Sequence, residues 1–424
     1  SDFCAGDPSG CSWCGDGVVQ SGYAETCDGT NFNGWSCAYF NFAHGNLFCT
    51  TTCSMEIDGC NGFLFAVTAP GYGHTCGLSS GTIYCWGSNS TGALGNNHSD
   101  GNPALSPEGI YNATGVGFVE VRSGNGYSCA IDDNHDIWCW GENSTGSLGN
   151  GTTDIAYAPS QTQLPADTYH HLTTGEFHAC VVNGLGGVQC WGANTYGELG
   201  DGTLDLHLTP VPVQKELTVT FTQVSAGARH TCALDDTGVA WCWGANGWGQ
   251  LGEGTNENSA TPVMVIMPSA VTFSEIHAGY SHTCAIDGNG NAWCWGRNDV
   301  GQLGNGTTGL SSLPVAVNMP MGVGFNWFST GGNFSCGVDT IGRIWCWGAN
   351  WSGQLGDGTT VDHSEPQQII APAATTFSTV NVNDEHACAT STSQVVYCWG
   401  ANDSYQLGTG TTQDATVATQ IQDP

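Results

Sequence analysis

Seven pairs of cysteines at a nearly constant spacing restrict the fold of this chain more than any other feature. Each second cysteine is followed directly by Trp-Gly, and the first cysteines of successive pairs lie 51 to 53 residues apart. The pairs are Cys76 and Cys85, Cys129 and Cys139, Cys180 and Cys190, Cys232 and Cys242, Cys284 and Cys294, Cys336 and Cys346, and Cys388 and Cys398. Self-similarity at a fixed period of this size is typical of a solenoid or a propeller.

The residues between the two cysteines of a pair predict a β-hairpin. In the fourth repeat, two short apolar runs flank the turn residues Asp235-Asp-Thr-Gly238, which is a hairpin signature. A three-residue loop places Cys232 opposite Cys242, and directly opposed residues can have Cα atoms about 4.5 Å apart, a distance that a disulfide spans. The first repeat is one residue shorter, and a two-residue loop at Ser80-Gly81 restores the same facing pair. We therefore predict one disulfide bond in each repeat.

Alternation of side chains along each hairpin gives the sheet two apolar faces. One face carries Cys232 and Cys242, and the other carries Ala233 opposite Trp241. The hairpin is followed by a turn-rich segment, GxNxxGxLGxGT, and preceded by a further strand at residues 221–227. The strand after the turns contains Pro-Val, at Pro212-Val213, Pro262-Val263 and Pro314-Val315. Four short strands in each repeat, without helical periodicity, predict one propeller blade per repeat.

The repeat closely resembles that of the regulator of chromosome condensation family. The resemblance is carried by the Ala-Gly-x-x-His-Thr-Cys-Ala lead, the hairpin, the Cys-Trp-Gly and the Asn-x-x-Gly-Gln-Leu-Gly-x-Gly-Thr tail. It implies an all-β fold, a seven-bladed β-propeller, over residues 61–424. Members of the family include a nucleotide exchange factor for a small GTPase, a plant ultraviolet receptor and a secreted inhibitor of β-lactamase, so the fold leaves the function open.

Two of these functions fit this chain poorly. Predicted disulfides and the lack of a basic tail argue against a nuclear exchange factor. The photoreceptor function depends on clustered Trp and Arg at a dimer face, whereas most Trp residues here belong to the repeat and Lys and Arg together number 5.

Residues 1–60 predict a small disulfide-rich module ahead of the propeller. They contain eight cysteines, Cys4, Cys11, Cys14, Cys27, Cys37, Cys49, Cys53 and Cys60, for which sequence alone allows about 105 pairings. The segment from Cys14 to Asp28 resembles the cysteine-rich repeats of secreted myxobacterial proteins, which implies a bacterial origin. Asp16, Glu25 and Asp28 are candidate calcium ligands; the alternative is turn and cap chemistry around the disulfides. No other cofactor or metal is expected.

Charge and cysteine content indicate the environment and the class of partner. The net charge is −32, and it arises because Lys and Arg are scarce rather than because the 37 Asp and Glu are excessive. Nucleic acid and anionic membranes bind through Lys and Arg, so we expect neither as a partner. No apolar run is long enough to span a membrane. Because stable disulfides need an oxidising compartment, we expect a mature protein located extracellularly or at the cell surface.

A histidine stands two residues before the first cysteine in five repeats, at His74, His178, His230, His282 and His386. Tyr127 and Phe334 occupy the same position in the other two repeats. A position that accepts any aromatic ring indicates packing rather than metal ligation.

Candidate glycosylation sites are those Asn-x-Ser/Thr sequons that the repeat does not explain. Six of the nine sequons fill a fixed Asn or a Gly-x-Gly-Thr turn of the repeat, which leaves Asn97, Asn112 and Asn333.

Variable aromatic residues in the loops are the candidate partner-binding residues. Trp248 and Trp351 occupy the variable positions of the Asn-x-x-Gly turn, and Tyr196 lies in the equivalent loop of the third repeat. Variable aromatics on a rigid scaffold are a common binding surface; the alternative is that they cover neighbouring loops.

These observations predict a protein that acts through protein–protein contacts or self-association and is not an enzyme. No HExxH, GxSxG or phosphate-loop motif is present, which leaves an atypical hydrolase as the weakest hypothesis. We expect a secreted or cell-surface structural or adhesive protein, a subunit of an extracellular assembly or filament. The alternative is a secreted monomeric binder or inhibitor of a protein target that uses one rim of the propeller.

Overall fold

A computed structural model describes residues 64–215 and 218–422 with their side chains, together with four short strands before them. These strands are β1 (Phe42–Gly45), β2 (Phe48–Cys49), β3 (Met55–Glu56) and β4 (Cys60–Phe63), paired as β1 with β4 and β2 with β3. The predicted cysteine module, its disulfide pattern and the calcium candidates Asp16, Glu25 and Asp28 lie outside the described side chains. The chain divides into two compact units, and the unit formed by Phe65–Thr392 and Val396–Gln422 contains all the sheets described below.

Seven four-stranded antiparallel sheets form this unit, and each sheet uses four consecutive strands. Blade 1 contains β5 (Val67–Pro70), β6 (His74–Ser79), β7 (Thr82–Gly87) and β8 (Ala104–Gly109); blade 2 contains β9 (Phe118–Ser123), β10 (Tyr127–Asp132), β11 (Ile137–Gly141) and β12 (Ala156–Gln161). Blade 3 contains β13 (Tyr169–Thr174), β14 (His178–Asn183), β15 (Val188–Gly192) and β16 (His207–Pro212); blade 4 contains β17 (Phe221–Ala226), β18 (His230–Asp235), β19 (Ala240–Gly244) and β20 (Ser259–Met264). Blade 5 contains β21 (Phe273–Ala278), β22 (His282–Asp287), β23 (Ala292–Gly296) and β24 (Ser311–Ala316); blade 6 contains β25 (Phe325–Thr330), β26 (Phe334–Asp339), β27 (Ile344–Gly348) and β28 (His363–Gln368). Blade 7 contains β29 (Phe377–Asn383), β30 (His386–Ser391), β31 (Val396–Gly400) and β32 (Ala415–Gln420).

The predicted all-β, seven-bladed propeller is confirmed. In the part of the chain that is described, no helix has the length and apolarity to cross a membrane.

The hairpin of each blade has the predicted register and the predicted disulfide. Cys232 lies directly opposite Cys242, and Ala233 lies opposite Trp241. All seven bridges form, with Cα–Cα distances of 4.0 to 4.2 Å. In the first blade the two-residue loop has positive φ at both Ser80 and Gly81, which is the backbone that a tight hairpin turn needs.

The position predicted for the Pro-Val pair in the fourth strand of the third repeat is wrong by two residues. Val211, not Val213, lies opposite Cys190, where Val263 lies opposite Cys242. The segment Pro210-Val-Pro-Val213 contains Pro-Val twice, so the sequence alone offers two alignments. Proline precedes the residue opposite the cysteine in six outer strands, at Pro107, Pro159, Pro210, Pro262, Pro314 and Pro366, and Ala418 takes this position in blade 7.

The core lies between the blades, where the disulfide face of one blade packs on the tryptophan face of the next. Between blades 4 and 5, Cys242 and Leu251 pack in one cluster with Phe273 and Trp295. The Trp295 side chain is fully buried, and its Nε1 donates to the carbonyl oxygen of Gln250 in the preceding blade at 2.9 Å. The equivalent indole bond occurs at all seven interfaces, at Trp86, Trp140, Trp191, Trp243, Trp295, Trp347 and Trp399.

The ring closes without exchange of a strand between its first and last blades. Blade 7 and blade 1 meet through the contacts that join every other pair: Trp86 Nε1 donates to the Gln406 carbonyl at 3.0 Å. On the outer rim, Gly410 N donates to the Leu105 carbonyl at 3.3 Å, as Gly254 N does to Ser312 between blades 4 and 5 at 3.1 Å.

Candidate partner-binding face

The direction of the strands gives the ring two distinct ends. We call the loop face the end that carries two loops of each blade. One joins the first and second strands and is Gly-x-x-His in most blades; the other joins the third and fourth strands and is Asn-x-x-Gly in every blade but the seventh, where Tyr405 replaces the glycine. We call the hairpin face the opposite end, which carries the tips of the cysteine hairpins. Variable residues of the loop face are the candidate site, because the fixed residues of both loops are buried in the scaffold.

The fixed asparagine of each Asn-x-x-Gly turn holds the turn from inside. Asn246 is fully buried; its Oδ1 accepts from Leu251 N at 3.0 Å, and its Nδ2 donates to the Thr255 carbonyl at 3.1 Å. Equivalent bonds to the Leu amide occur in every blade, at Asn89, Asn143, Asn194, Asn246, Asn298, Asn350 and Asn402. Sequons centred on these asparagines are therefore part of the fold.

The histidines of the Gly-x-x-His loops lie between blades. Thr283 donates its one hydroxyl proton to the Gln250 carbonyl at 2.9 Å, so the His230 Nε2, which lies 2.9 Å from the same hydroxyl oxygen, is the donor in that contact. Burial lowers the pKa of His230 to about 3, consistent with a neutral ring. Gly227 leaves room for this ring, since a Cβ there would lie 2.7 Å from the His230 Cε1.

A cavity of about 550 Å³ occupies the centre of the ring and opens at the loop face. It is lined by the first strands of all seven blades, several of which are joined to a neighbouring first strand by side-chain hydrogen bonds. The Ala278 amide, for example, donates to Ser225 Oγ of the preceding blade at 2.9 Å. Tyr72, Glu176, Tyr280 and Asp384 belong to the loops that surround its mouth.

One part of the loop face combines exposed aromatic rings with arginines. Trp248 is 41% and Trp351 is 47% exposed, whereas Tyr196 is half-buried. The Arg297 guanidinium lies 5.1 Å from the centre of the Trp248 ring, and Arg229 lies 5.4 Å from that of Tyr196. We call Tyr196, Arg229, Trp248, Arg297 and Trp351 the aromatic–arginine half.

The sequence predicted the three aromatic residues of this half but missed the two arginines. Arg229 lies in the variable positions of a Gly-x-x-His loop, and Arg297 directly follows a Trp-Gly. Both positions lie in or beside loops of the loop face. A comparison of the residue types at these two positions across the seven repeats would have identified both arginines. The exposed Tyr72 and Tyr280 were missed for the same reason.

The opposite part of the loop face is acidic. A second recess, of about 460 Å³, lies where blade 7 meets blades 1 and 2 and is lined by Glu142, Asp384, Glu385, Asp403 and Asp414. Among the described residues, no Lys or Arg lines it. Burial, followed by repulsion from Glu385, Glu176 and Asp403, raises the pKa of Asp384 to about 7. We call this region the seam recess.

The three candidate glycosylation residues occupy different settings. Asn97 and Asn112 are exposed, and Asn333 is half-buried. Asn112 Nδ2 donates to the Val116 carbonyl at 2.8 Å, and Asn333 Oδ1 lies 3.4 Å from an Arg297 nitrogen. Glycosylation at all three stays a prediction.

Sequence comparisons relate these repeats to known proteins. A family model described as the RCC1-like domain matches residues 82–424. The ultraviolet-B receptor UVR8 of Arabidopsis thaliana is 28% identical over 355 residues, which cover 82% of this chain and 79% of UVR8. The E3 ubiquitin-protein ligase HERC2 of Mus musculus is 27% identical over 346 residues; these cover 80% of this chain but only 7% of HERC2.

Solved structures agree on the fold. Prp20p from Saccharomyces cerevisiae, described with its binding to Gsp1p and histones, has a TM-score of 0.72 at 20% identity, covering 85% of this chain and 87% of Prp20p. At this identity the likeness concerns the fold alone.

Proposed function

Because the chain belongs to the RCC1-like domain family, we propose that it is a protein-binding propeller whose loop face contacts its partner at a cell surface or within an extracellular assembly. The RCC1-like domain is not in itself a catalytic fold. Prp20p, which shares the fold, binds the proteins Gsp1p and histones, which supports a protein as the class of partner here.

The observation that carries the proposal is the exposure of Trp248 and Trp351 on turns that are held rigidly. Buried asparagines fix both turns, through the Leu251 and Leu355 amides, so the indoles are presented with little loss of chain entropy on binding. Trp, Tyr and Arg dominate the binding energy of protein interfaces. The aromatic–arginine half has this composition.

The seven buried disulfides support a location outside the cytosol. The cytosol keeps thiols reduced, whereas secreted and surface proteins keep disulfides oxidised. Every blade carries one bridge, and its sulfurs are buried in the blade interfaces, as at Cys232 and Cys242. Thiol trapping of protein taken from its native source and unfolded in the presence of the alkylating reagent is expected to leave these fourteen cysteines unlabelled; labelling at most of them would refute the extracellular location.

A secreted monomeric binder or inhibitor is the second candidate. The outer edge of the blades favours it over a polymer built by strand addition. Six outer strands contain proline, which cannot donate to an added strand, and the Ser312 carbonyl of the edge already accepts from Gly254. Native mass measurement and negative-stain imaging separate the two: assemblies support the first proposal, and monomers at micromolar concentration support the second.

The loop face is tested by paired substitutions on the two ends of the ring. Trp248→Ser with Trp351→Ser removes the indoles from the loop face. Leu185→Ser with Ile341→Ser removes side chains that are 83% and 64% exposed at the hairpin face, and so is the matched control. Cross-linked capture from the native surroundings, followed by identification of the captured protein, is expected to fail with the first variant and succeed with the second. Equal capture by both variants would contradict the proposal.

A further inference from the structure

We propose that the central cavity binds a small sugar, an uncharged ligand rich in hydroxyl groups, through a ring of hydrogen-bond donors and the indole of Trp327. The volume of the cavity is about 550 Å³, and small-molecule sites usually have volumes of about 300–1,000 Å³. Neither Trp248 nor Trp351 lines it. The inference therefore goes beyond the proposed protein contact and does not depend on it.

The donors come from one residue in the first strand of each blade. This residue lies opposite the first cysteine of its blade and lines the cavity. The seven residues are Ala69, Arg122, Thr173, Ser225, His277, Ser329 and Asn381. Six of the seven carry a side-chain hydrogen-bond donor, and none of them is a carboxylate. We call these seven residues the donor ring, because donors surround the cavity on nearly every side.

Three hydroxyl groups of the donor ring are held in place with a proton to spare. Each oxygen accepts from a backbone amide of the next blade: Thr173 from Ala226 at 2.9 Å, Ser225 from Ala278 at 2.9 Å and Ser329 from Val382 at 3.1 Å. Within the described part of the chain, none of the three donates its own proton to an acceptor. An unmade hydrogen bond is costly where a group is buried, and Thr173 is only 8% exposed. These hydroxyls are therefore ready to donate to the oxygens of a ligand.

Trp327 supplies an apolar surface on one wall of the same cavity. The side chain is half-buried and lines the cavity, and its Nε1 donates to the Val380 carbonyl of the next blade at 2.8 Å, which fixes the ring. The matching strand position holds Gln223 in blade 4 and Glu275 in blade 5. The fold therefore does not require an aromatic ring at this position, and contact with a ligand accounts for it.

The charges around the cavity favour an uncharged ligand. Arg122 is paired with Glu120 at 2.8 Å, and the chain has a net charge of −32, so we do not expect an anion. A cation would be repelled by the protons of the donor ring.

A sugar satisfies both kinds of surface at once. Each of its hydroxyl groups can donate and accept, so its oxygens accept from the donor ring while its protons go to acceptors such as Glu275, which lines the cavity. Its C–H groups pack on the Trp327 indole. A few fixed polar groups beside an aromatic surface are typical of small-molecule sites.

Saturation-transfer NMR with the full chain tests the inference. The probes are lactose, maltose, cellobiose and the methyl glycosides of glucose, galactose and mannose. The site variant is Trp327→Gln, which copies Gln223, whose Nε2 donates to the Ile276 carbonyl of the next blade at 3.2 Å. The matched control is Trp293→Gln, which removes a half-buried indole outside the cavity and copies Gln189 of blade 3. At least one probe is expected to bind the wild type, about tenfold or more weaker in the site variant and about twofold or less weaker in the control.

A mapping experiment on the wild type does not depend on whether the site variant folds. Hydroxyl-radical oxidation followed by mass spectrometry is expected to show that the bound probe protects Trp327 relative to the exposed Trp248 and Trp351. The inference is overturned if no probe gives saturation transfer, if both variants weaken binding equally or if Trp327 is not selectively protected. Displacement of the probe by an equal concentration of inorganic phosphate or tetramethylammonium would also overturn it.

Two sources of the sugar can then be separated, a free saccharide and the end of a glycan chain. The probe that binds is coupled through its anomeric carbon to agarose beads, and the chain is applied to them. Retention that the free probe reverses supports the end of a glycan, whereas passage through the beads, with binding of the free probe intact, supports a free saccharide.

Discussion

His386 in the last blade donates a hydrogen bond from Nε2 to the Thr75 hydroxyl oxygen of the first blade, at 2.8 Å, across the point where the ring closes. A contact between Nε2 and a hydroxyl of the following blade recurs at each of the five histidines that stand two residues before a first cysteine. The pairs are His74 with Ser128, His178 with Thr231, His230 with Thr283, His282 with Ser335 and His386 with Thr75. Where the ring is Tyr127 or Phe334, the following blade has Ala179 or Ala387 instead.

This pairing within one sequence predicts a double-mutant result. His282→Phe alone leaves the Ser335 hydroxyl without its donor and should lower the free energy of unfolding by roughly 1 kcal/mol. The double variant His282→Phe with Ser335→Ala copies the Phe334 and Ala387 pair and should recover part of that loss. Urea unfolding of the single and double variants measures the coupling energy, and purely additive losses would contradict the pairing.

The buried histidines predict loss of stability in mild acid. Burial lowers the pKa of His178 to about 4 and of His282 to about 3, while in the unfolded chain these rings take up protons below about pH 6.5. The stability that these histidines contribute is therefore fully present above pH 6.5 and falls as the pH drops towards the folded-state values, by roughly 1–2 kcal/mol per histidine at pH 5. Urea midpoints at pH 7.5 and 5 should differ less in His230→Phe with His282→Phe than in the wild type, and the exposed His98→Phe should leave the difference unchanged.

A second pairing lies at the hairpin tips. Trp241 Nε1 donates to Asp235 Oδ2 at 3.0 Å, and Asp235 Oδ1 also accepts from the Val239 amide at 3.0 Å. Asp235→Ser should therefore destabilise by roughly 2 kcal/mol. Adding Trp241→Tyr copies Ser79 and Tyr84 of the first blade, and the two changes should couple by about 1 kcal/mol. Thermal unfolding of the full cycle checks this; an absent coupling would mean that the aspartate acts on the turn alone.

Two glycines offer a matched test of how the blades pack. Gly252 has a φ of 73°, and a Cβ there would lie 2.6 Å from Trp295 Nε1. Gly252→Ala should destabilise by roughly 2–4 kcal/mol, through backbone strain and overpacking together. A Cβ at Gly288 meets nothing within 4 Å, so Gly288→Ala should stay within about 0.5 kcal/mol of the wild type. Comparable losses from both would show that the indole contact is unimportant.

Asp384 should make the protein less stable as the pH rises through neutrality. Its folded-state pKa of about 7 lies above the ordinary value of 3.8, so the stability it contributes is present in acid and lost as its carboxyl group ionises among Glu385, Glu176 and Asp403. Asp384→Asn should raise the free energy of unfolding at pH 8.5 by roughly 1–3 kcal/mol and by clearly less at pH 5, where the folded-state carboxyl group is still protonated. A gain equal at the two pH values would point to backbone strain instead of charge.

The hairpin, its disulfide and the number of blades were predictable because they depend on residues close together in sequence. The length of the hairpin loop alone predicts that Cys232 lies opposite Cys242. The pair Cys76 and Cys85 tests this relation between loop length and facing, because its shorter loop restores the same arrangement. The packing role inferred for the histidine position agrees with the buried ring of His230. Its hydrogen bond escaped prediction because the acceptor, Thr283, lies in the next repeat.

The site was predictable only in part. Variation between repeats singled out Trp248, Trp351 and Tyr196, which lie on one face of the ring. The seam recess depends on where the first and last blades meet, and no local sequence pattern predicts that meeting. Asp384 takes a loop position that is glycine in the preceding repeat, Gly332, and this single difference was the available signal.

Each of the seven described sheets is made of four consecutive strands. No blade therefore depends on which blade comes first in the sequence. Cleavage of the chain in a connector between two sheets would leave all seven sheets intact. The two blades on either side of the cut would then be held together only by side-chain and loop contacts. The same independence lets a whole unit of four strands be duplicated, lost or replaced as one piece, so a partner's footprint can change blade by blade while the rest of the wheel keeps its shape.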